Sequence, residues 1–88
     1  MTDEETVRVW LVEREYNTKG MISLVYATTD GTRYLRKQFS EQMLTKKDVT
    51  AAVDAEADRL EPTHEDDRDR FAAEAQRMAD QHDPENPV

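Results

Sequence analysis

No cysteine occurs in the sequence, and that absence removes disulfides, thiolate zinc sites, iron–sulfur clusters and cysteine nucleophiles together. Glycine is almost as scarce. Gly20 and Gly31 are the only two, and both sit among turn-forming neighbours, so no glycine-rich phosphate loop can be built. Histidine is limited to His64 and His82. They fall at opposite ends of one helical stretch, about 27 Å apart by helical rise, which is too far to share a metal ion. His64 reads as part of a solvated first turn with Glu65, Asp66 and Asp67, and His82 as a group facing the negative end of the helix dipole. Ser23 and Ser40 lie in no nucleophile-elbow context, and Glu13 and Glu15 share a strand face without a cleft around them. The expectation is a protein that is not an enzyme and uses neither a cofactor nor a metal. Long apolar runs are missing as well: none approaches the roughly 20 residues of a spanning helix. The start, Met1-Thr2-Asp3-Glu4-Glu5, is acidic where a signal peptide is basic. Both point to a cytoplasmic protein with no membrane partner.

Acidic residues are what the sequence has in excess, with a net charge of -8 over 88 residues. The excess is local. Residues 1–47 hold eight Lys and Arg against seven Asp and Glu, whereas residues 48–88 hold four against thirteen. Lysine is rarer than arginine, four to eight, and aspartate equals glutamate at ten each. With a mean hydropathy of -0.97, the pattern suits a chain kept hydrated in concentrated salt, where the Debye length shrinks to about 3 Å and like charges no longer repel at a distance. At this length a single domain with a small core is the limit, so the placement of apolar residues matters more than their number. The division expected is one domain over 1–83 and a short tail over 84–88.

Placement in the first half follows a period of two. Three β-rich runs, Thr6–Tyr16, Met21–Thr29 and Thr32–Phe39, are separated by Asn17-Thr18-Lys19-Gly20 and by Asp30-Gly31. The second signal fits a two-residue type I′ hairpin. If Thr29 faces Thr32, Tyr26 opposes Leu35, Leu24 opposes Lys37 and Ile22 opposes Phe39; if Tyr16 faces Met21, Val12 opposes Val25 and Leu11 opposes Tyr26. Opposed residues share a face. One face then collects Val7, Val9, Leu11, Ile22, Leu24, Tyr26, Leu35 and Phe39, and it is the expected core face. The second face collects Trp10, Val12, Tyr16, Met21, Val25, Ala27 and Tyr34, interleaved with Arg8, Arg14, Ser23, Arg36 and Gln38.

The second half switches to helical spacing. Thr45 and Asp48 suit the start of a helix carrying the stripe Val49, Ala52, Val53, Ala57 and Leu60, ended by Glu61-Pro62. Thr63 and Asp66 repeat the capping logic for a second helix with the stripe Phe71, Ala75, Met78, Ala79 and His82. The fold class expected is α+β: a three-stranded antiparallel meander followed by two α-helices packed on one face, β-β-β-α-α, with both helices on the Val9, Leu11, Leu24 and Phe39 face.

That arrangement leaves the second face bare, and a monomer seldom exposes so much contiguous apolar surface. The candidate interaction face is therefore Arg8, Trp10, Val12, Arg14, Tyr16, Val25, Tyr34 and Arg36. A homodimer through this face is the leading reading, with another protein as a further partner. The alternative is single-stranded nucleic acid, its bases stacked on the aromatic rings and its phosphates on the arginines. Magnitudes favour protein. Phosphate contacts weaken steeply with salt, the net charge opposes a polyanion, and the strands carry no RNP-type motif.

Several phrases carry a resemblance: Val9-Trp10-Leu11-Val12-Glu13-Arg14, the run Leu24 to Tyr34, Thr50-Ala51-Ala52-Val53-Asp54, and Glu74-Ala75-Gln76-Arg77-Met78-Ala79-Asp80-Gln81-His82-Asp83-Pro84. In these the chain resembles a small uncharacterised haloarchaeal family over most of its length. The resemblance implies a single domain and a salt-rich source, and it carries no activity or site residue.

Overall fold

A computed structural model describes residues 6–17, 19–40 and 49–88. β1 (Thr6–Tyr16), β2 (Met21–Ala27) and β3 (Arg33–Ser40) form the expected meander, and two further strands extend it. These are β4 (Ala52–Glu56), which pairs with β1, and the short β5 (Glu61–Pro62), which pairs with β3. All neighbours are antiparallel, in the spatial order β4-β1-β2-β3-β5. A 3₁₀ turn, Ala57–Arg59, lies in the connection between the two edges, and one helix follows, α1 (Glu65–Gln81).

The three-stranded sheet with two helices is thus corrected to a five-stranded sheet with one described helix. The stripe Val49, Ala52, Val53, Ala57 and Leu60 does not belong to a helix. Its middle is β4, where Val53 lies opposite Val9 and Ala55 opposite Val7. Helix propensity, worth a few tenths of a kcal/mol per residue, yields here to the pairing demand of β1. In a bare meander the first half of β1 would have an open ladder on that side. Ala51 and Ala55, buried to 0% and 8% exposure, close it with small side chains that read equally well at either period. The expected cap at Thr45 and Asp48 lies outside the described residues.

The helix is also on the other face from the one expected. Phe71 packs with Val25 and Ala27, its ring edge-on to Tyr34 at 6.2 Å between centroids, and the Gln76 amide donates to the Thr29 carbonyl at 2.9 Å. Arg70 reaches Glu13 at 2.9 Å. Ala75 and Met78 complete the buried stripe of α1 and join the cluster that contains Trp10. The first face nevertheless buries Val9, Leu11, Ile22, Leu24 and Tyr26, with Leu60 packed against the same cluster.

A β-bulge in β1 determines which charges meet the helix. Register shifts between Leu11 and Glu13, so Leu11 opposes Tyr26 as expected, while Glu13, not Val12, opposes Val25. An extra residue in one strand turns everything after it to the opposite side. Arg14 and Tyr16 therefore oppose Leu24 and Ile22 on the first face, and Glu13 and Glu15 move to the helix side. The β2–β3 register agrees with the expectation at Ile22↔Phe39, Leu24↔Lys37 and Tyr26↔Leu35. Its turn is longer than a type I′ pair. The Gly31 N–H closes onto the Thr28 carbonyl at 2.9 Å, and only Gly31, at φ 75°, takes the left-handed region.

At the far end, residues 84–88 lie along residues 49–52. Ala52 N–H donates to the Pro84 carbonyl at 3.1 Å, Ala51 N–H to Asn86 at 2.9 Å, and Val88 N–H to Val49 at 2.8 Å.

Candidate functional site

Of the eight residues of the expected interaction face, two are buried beneath the helix: Trp10 and Val25 are 7% and 5% exposed. Tyr34 is half-buried against Phe71, and Val12 sits in the bulge. Arg8 pairs with Asp54 across β1 and β4 at 3.3 Å, and Arg36 with Glu15 at 3.4 Å on the sheet surface. Arg14 and Tyr16 point to the opposite side of the sheet. The charge of Arg14 there partly offsets the burial that pushes the Tyr26 phenol up. The eight residues therefore do not form one exposed patch. The sequence concealed this because both faces are apolar, and nothing in a one-residue bulge announces itself in composition.

Two concave grooves flank α1, of about 320 and about 340 Å³. The first runs over Leu11, Val12, Met78 and Val88, the second over Val25, Tyr34 and Phe71. Several of their rim charges are paired. Arg77 grips Glu74 at 2.7 Å and holds that carboxyl below its usual range, and Arg70 donates both to Glu13 and, at 3.2 Å, to Asp67. Such pairs fasten the helix to itself and to the sheet and leave few polar groups converging on a ligand. Among the described residues no group of three or more His, Cys, Asp or Glu is placed to hold a metal. No helix among them is long and apolar enough to cross a membrane.

The sheet edges carry what the faces do not. In an antiparallel strand the N–H and C=O of one residue point to one side and those of the next to the other. On β3, the Arg33 carbonyl accepts from Thr28 on the β2 side, while the Thr32 carbonyl accepts from Thr63 at 2.9 Å on the outer side. Counting by twos, Tyr34, Arg36 and Gln38 face outward. β5 takes up Tyr34, and no strand among the described residues pairs with Arg36 or Gln38 there. Just before β4 the Ala51 carbonyl accepts inward from Leu11 while the Ala51 and Ala52 N–H groups donate outward to Asn86 and Pro84; counting by twos from Ala52, Asp54 and Glu56 face outward beyond the reach of residues 84–88. Among the described residues the second half of β1 also has no strand on its β4 side, but the bulge at Val12 bends that edge, which blunts it as a template.

The two straight edges differ in charge. β3 contains Arg33, Arg36 and Lys37 and no acid; β4 contains Asp54 and Glu56 and no base. The acids of β4 engage only exposed partners, Asp54 with Arg8 and Glu56 with Arg59 at 3.2 Å. This contrast could have been read from the sequence had residues 52–56 been recognised as a strand.

The described residues form a β-rich domain, a five-stranded antiparallel sheet with one C-terminal helix across one face, and among them two sheet edges carry outward groups that no strand pairs. A family of unknown function, DUF7967, matches residues 3–88, and the chain belongs to that family. Neither the curated proteins nor the solved structures yield a match.

Proposed function

We propose that the chain is a non-enzymatic, cytoplasmic interaction module that associates with copies of itself through the edges of its sheet. The observation that carries this reading is the open outer edge of β3 at Arg36 and Gln38, among the described residues, in a sheet whose helix-facing side is already covered. Unpaired edge groups are templates for a further strand, and proteins that do not use them usually cover or bend them. β1 is bent; β3 is not. The face expected to mediate pairing is occupied by α1, so the contact moves from the face to the rim. The burial of Trp10, 7% exposed, weighs against the alternative of single-stranded nucleic acid, which needs exposed rings to stack on.

The test is molar mass in solution. In about 0.15 M KCl, where the Debye length is about 8 Å, light scattering over micromolar to millimolar protein should show mass rising above 10.2 kDa. A mass fixed at that of one chain throughout the range would overturn the proposal.

A further inference from the structure

Resting on the self-association just proposed, we infer that copies join head to tail, the outer edge of β3 in one copy receiving the outer edge of β4 from the next. Strand direction permits this without a flip. Along the order β4-β1-β2-β3 every neighbour is antiparallel, so β3 runs opposite to β4. A second copy set alongside by translation therefore presents an antiparallel strand. Among the described residues the open stretches are also similar in length, five residues against four: Leu35–Phe39 lies beyond β5, and Val53–Glu56 lies beyond the segment paired with residues 84–88.

Hydrogen bonding restricts the register. Outward-facing residues must meet outward-facing residues, and the register that uses all four open positions at once sets Arg36 against Glu56 of the second copy and Gln38 against Asp54 of the second copy. Side chains follow, because opposed residues share a face. On the helix side an arginine meets a glutamate and an amide meets an aspartate. On the other side Phe39 meets Val53 of the second copy and Lys37 meets Ala55 of the second copy. The symmetrical alternatives are worse. β3 against β3 opposes Lys37 to itself and offers Arg36 no acid, while β4 against β4 opposes Asp54 to Glu56. Like charges directly opposed are destabilising. A head-to-tail contact leaves a β3 edge and a β4 edge at the ends of every assembly, so it produces rings or open chains in place of a closed dimer.

Charge reversal tests the contact. D54K/E56K makes both edges basic, and R36E/Q38E makes both acidic. Each variant alone should associate at least about tenfold more weakly than the wild type, and an equimolar mixture should recover the wild-type mass distribution, since each basic edge then finds an acidic one. Association of either variant alone at wild-type strength, or a mixture that stays monomeric while the wild type assembles, would overturn the head-to-tail contact and leave self-association standing. A wild type that never exceeds the mass of one chain defeats the broader proposal instead. The lack of native cysteine supplies a second measurement that does not depend on those variants folding. Arg36→Cys mixed with Glu56→Cys should form a disulfide-linked pair, because residues opposed in a ladder lie within bridging distance. Arg36→Cys alone should form none, and a bridged Arg36→Cys homodimer would contradict the arrangement.

Discussion

Asp30 accepts hydrogen bonds from the Thr28 hydroxyl at 2.6 Å, the Thr32 hydroxyl at 2.8 Å and the Thr32 N–H at 3.0 Å. These bonds favour the ionised form and hold its carboxyl at about 2, below the ordinary 3.8. A depressed folded-state value means stability that is whole above the unfolded value and lost as the pH falls through the folded one. The wild type should therefore exceed Asp30→Ala in stability by about 1 kcal/mol near neutrality, a figure reduced for solvent screening at this exposed turn. The difference should vanish between about pH 4 and about pH 2; denaturant titrations at several pH values would show it, and a constant difference would contradict it. Gly31 beside it is constrained twice, by its left-handed φ and by α1. A Cβ there would collide with the Arg68 carbonyl and lie 2.9 Å from the Ala72 nitrogen. Gly31→Ala should cost at least about 2 kcal/mol in unfolding free energy. Thr63 behaves oppositely. The cap expected of it is supplied by His64, whose Nδ1 accepts from Asp66 N–H at 3.2 Å, and the buried Thr63 hydroxyl has no partner. Thr63→Val should be neutral or slightly stabilising, where loss of a true cap would cost about 1 kcal/mol.

The placement of α1 over Trp10 and Val25 is the element on which the functional reading turns. Phe71, 7% exposed, is its main apolar anchor, and Phe71→Ala should cost about 3 kcal/mol by thermal or denaturant unfolding. The Glu13–Arg70 pair, with Arg70 half exposed, should contribute less than about 1 kcal/mol. A helix laid on the Val9 face would leave Phe71→Ala without effect on Trp10; here the native Trp10 emission should be blue-shifted and shielded from quenchers, and the variant should loosen that shield. How much of this was legible varies by element. The β2–β3 register could be read because the Asp30-Gly31 signal fixes where the chain reverses. The helix over residues 65–81 could be read because Phe71, Ala75 and Met78 repeat at helical spacing between acidic and closing signals. β4 could not, since alanines at positions 51, 52 and 55 serve either period and the deciding fact is a partner strand more than forty residues earlier. The bulge at Val12 was illegible for the same reason, and it reversed the positions of Arg14 and Tyr16.

At the scale of the whole molecule, charge and edges act together. Most of the acid in residues 48–88 lies on β4, β5 and α1, and the part on β4 forms the edge opposite the basic β3. A net -8 repels other copies over a distance of about 30 Å in 0.01 M salt and only about 8 Å at 0.15 M, whereas a contact between opposed strands is closer than either. Association should therefore strengthen from about 0.01 to about 0.15 M KCl, and weakening over that range would indicate a contact driven by charge alone. The candidate site was only partly visible in the sequence. Arg36 was named for it, but its outward backbone and the complementary Asp54 and Glu56 became apparent only with the strand order.

Residue-resolved amide hydrogen exchange, followed as protein concentration rises, tests the edge contact most directly. The outward amides of Arg36, Gln38, Asp54 and Glu56 should exchange freely in dilute solution and gain protection together as copies associate, while amides already bonded within the sheet change little. Protection that instead grows elsewhere, with these four amides still open in the associated protein, would contradict assembly through the sheet edges.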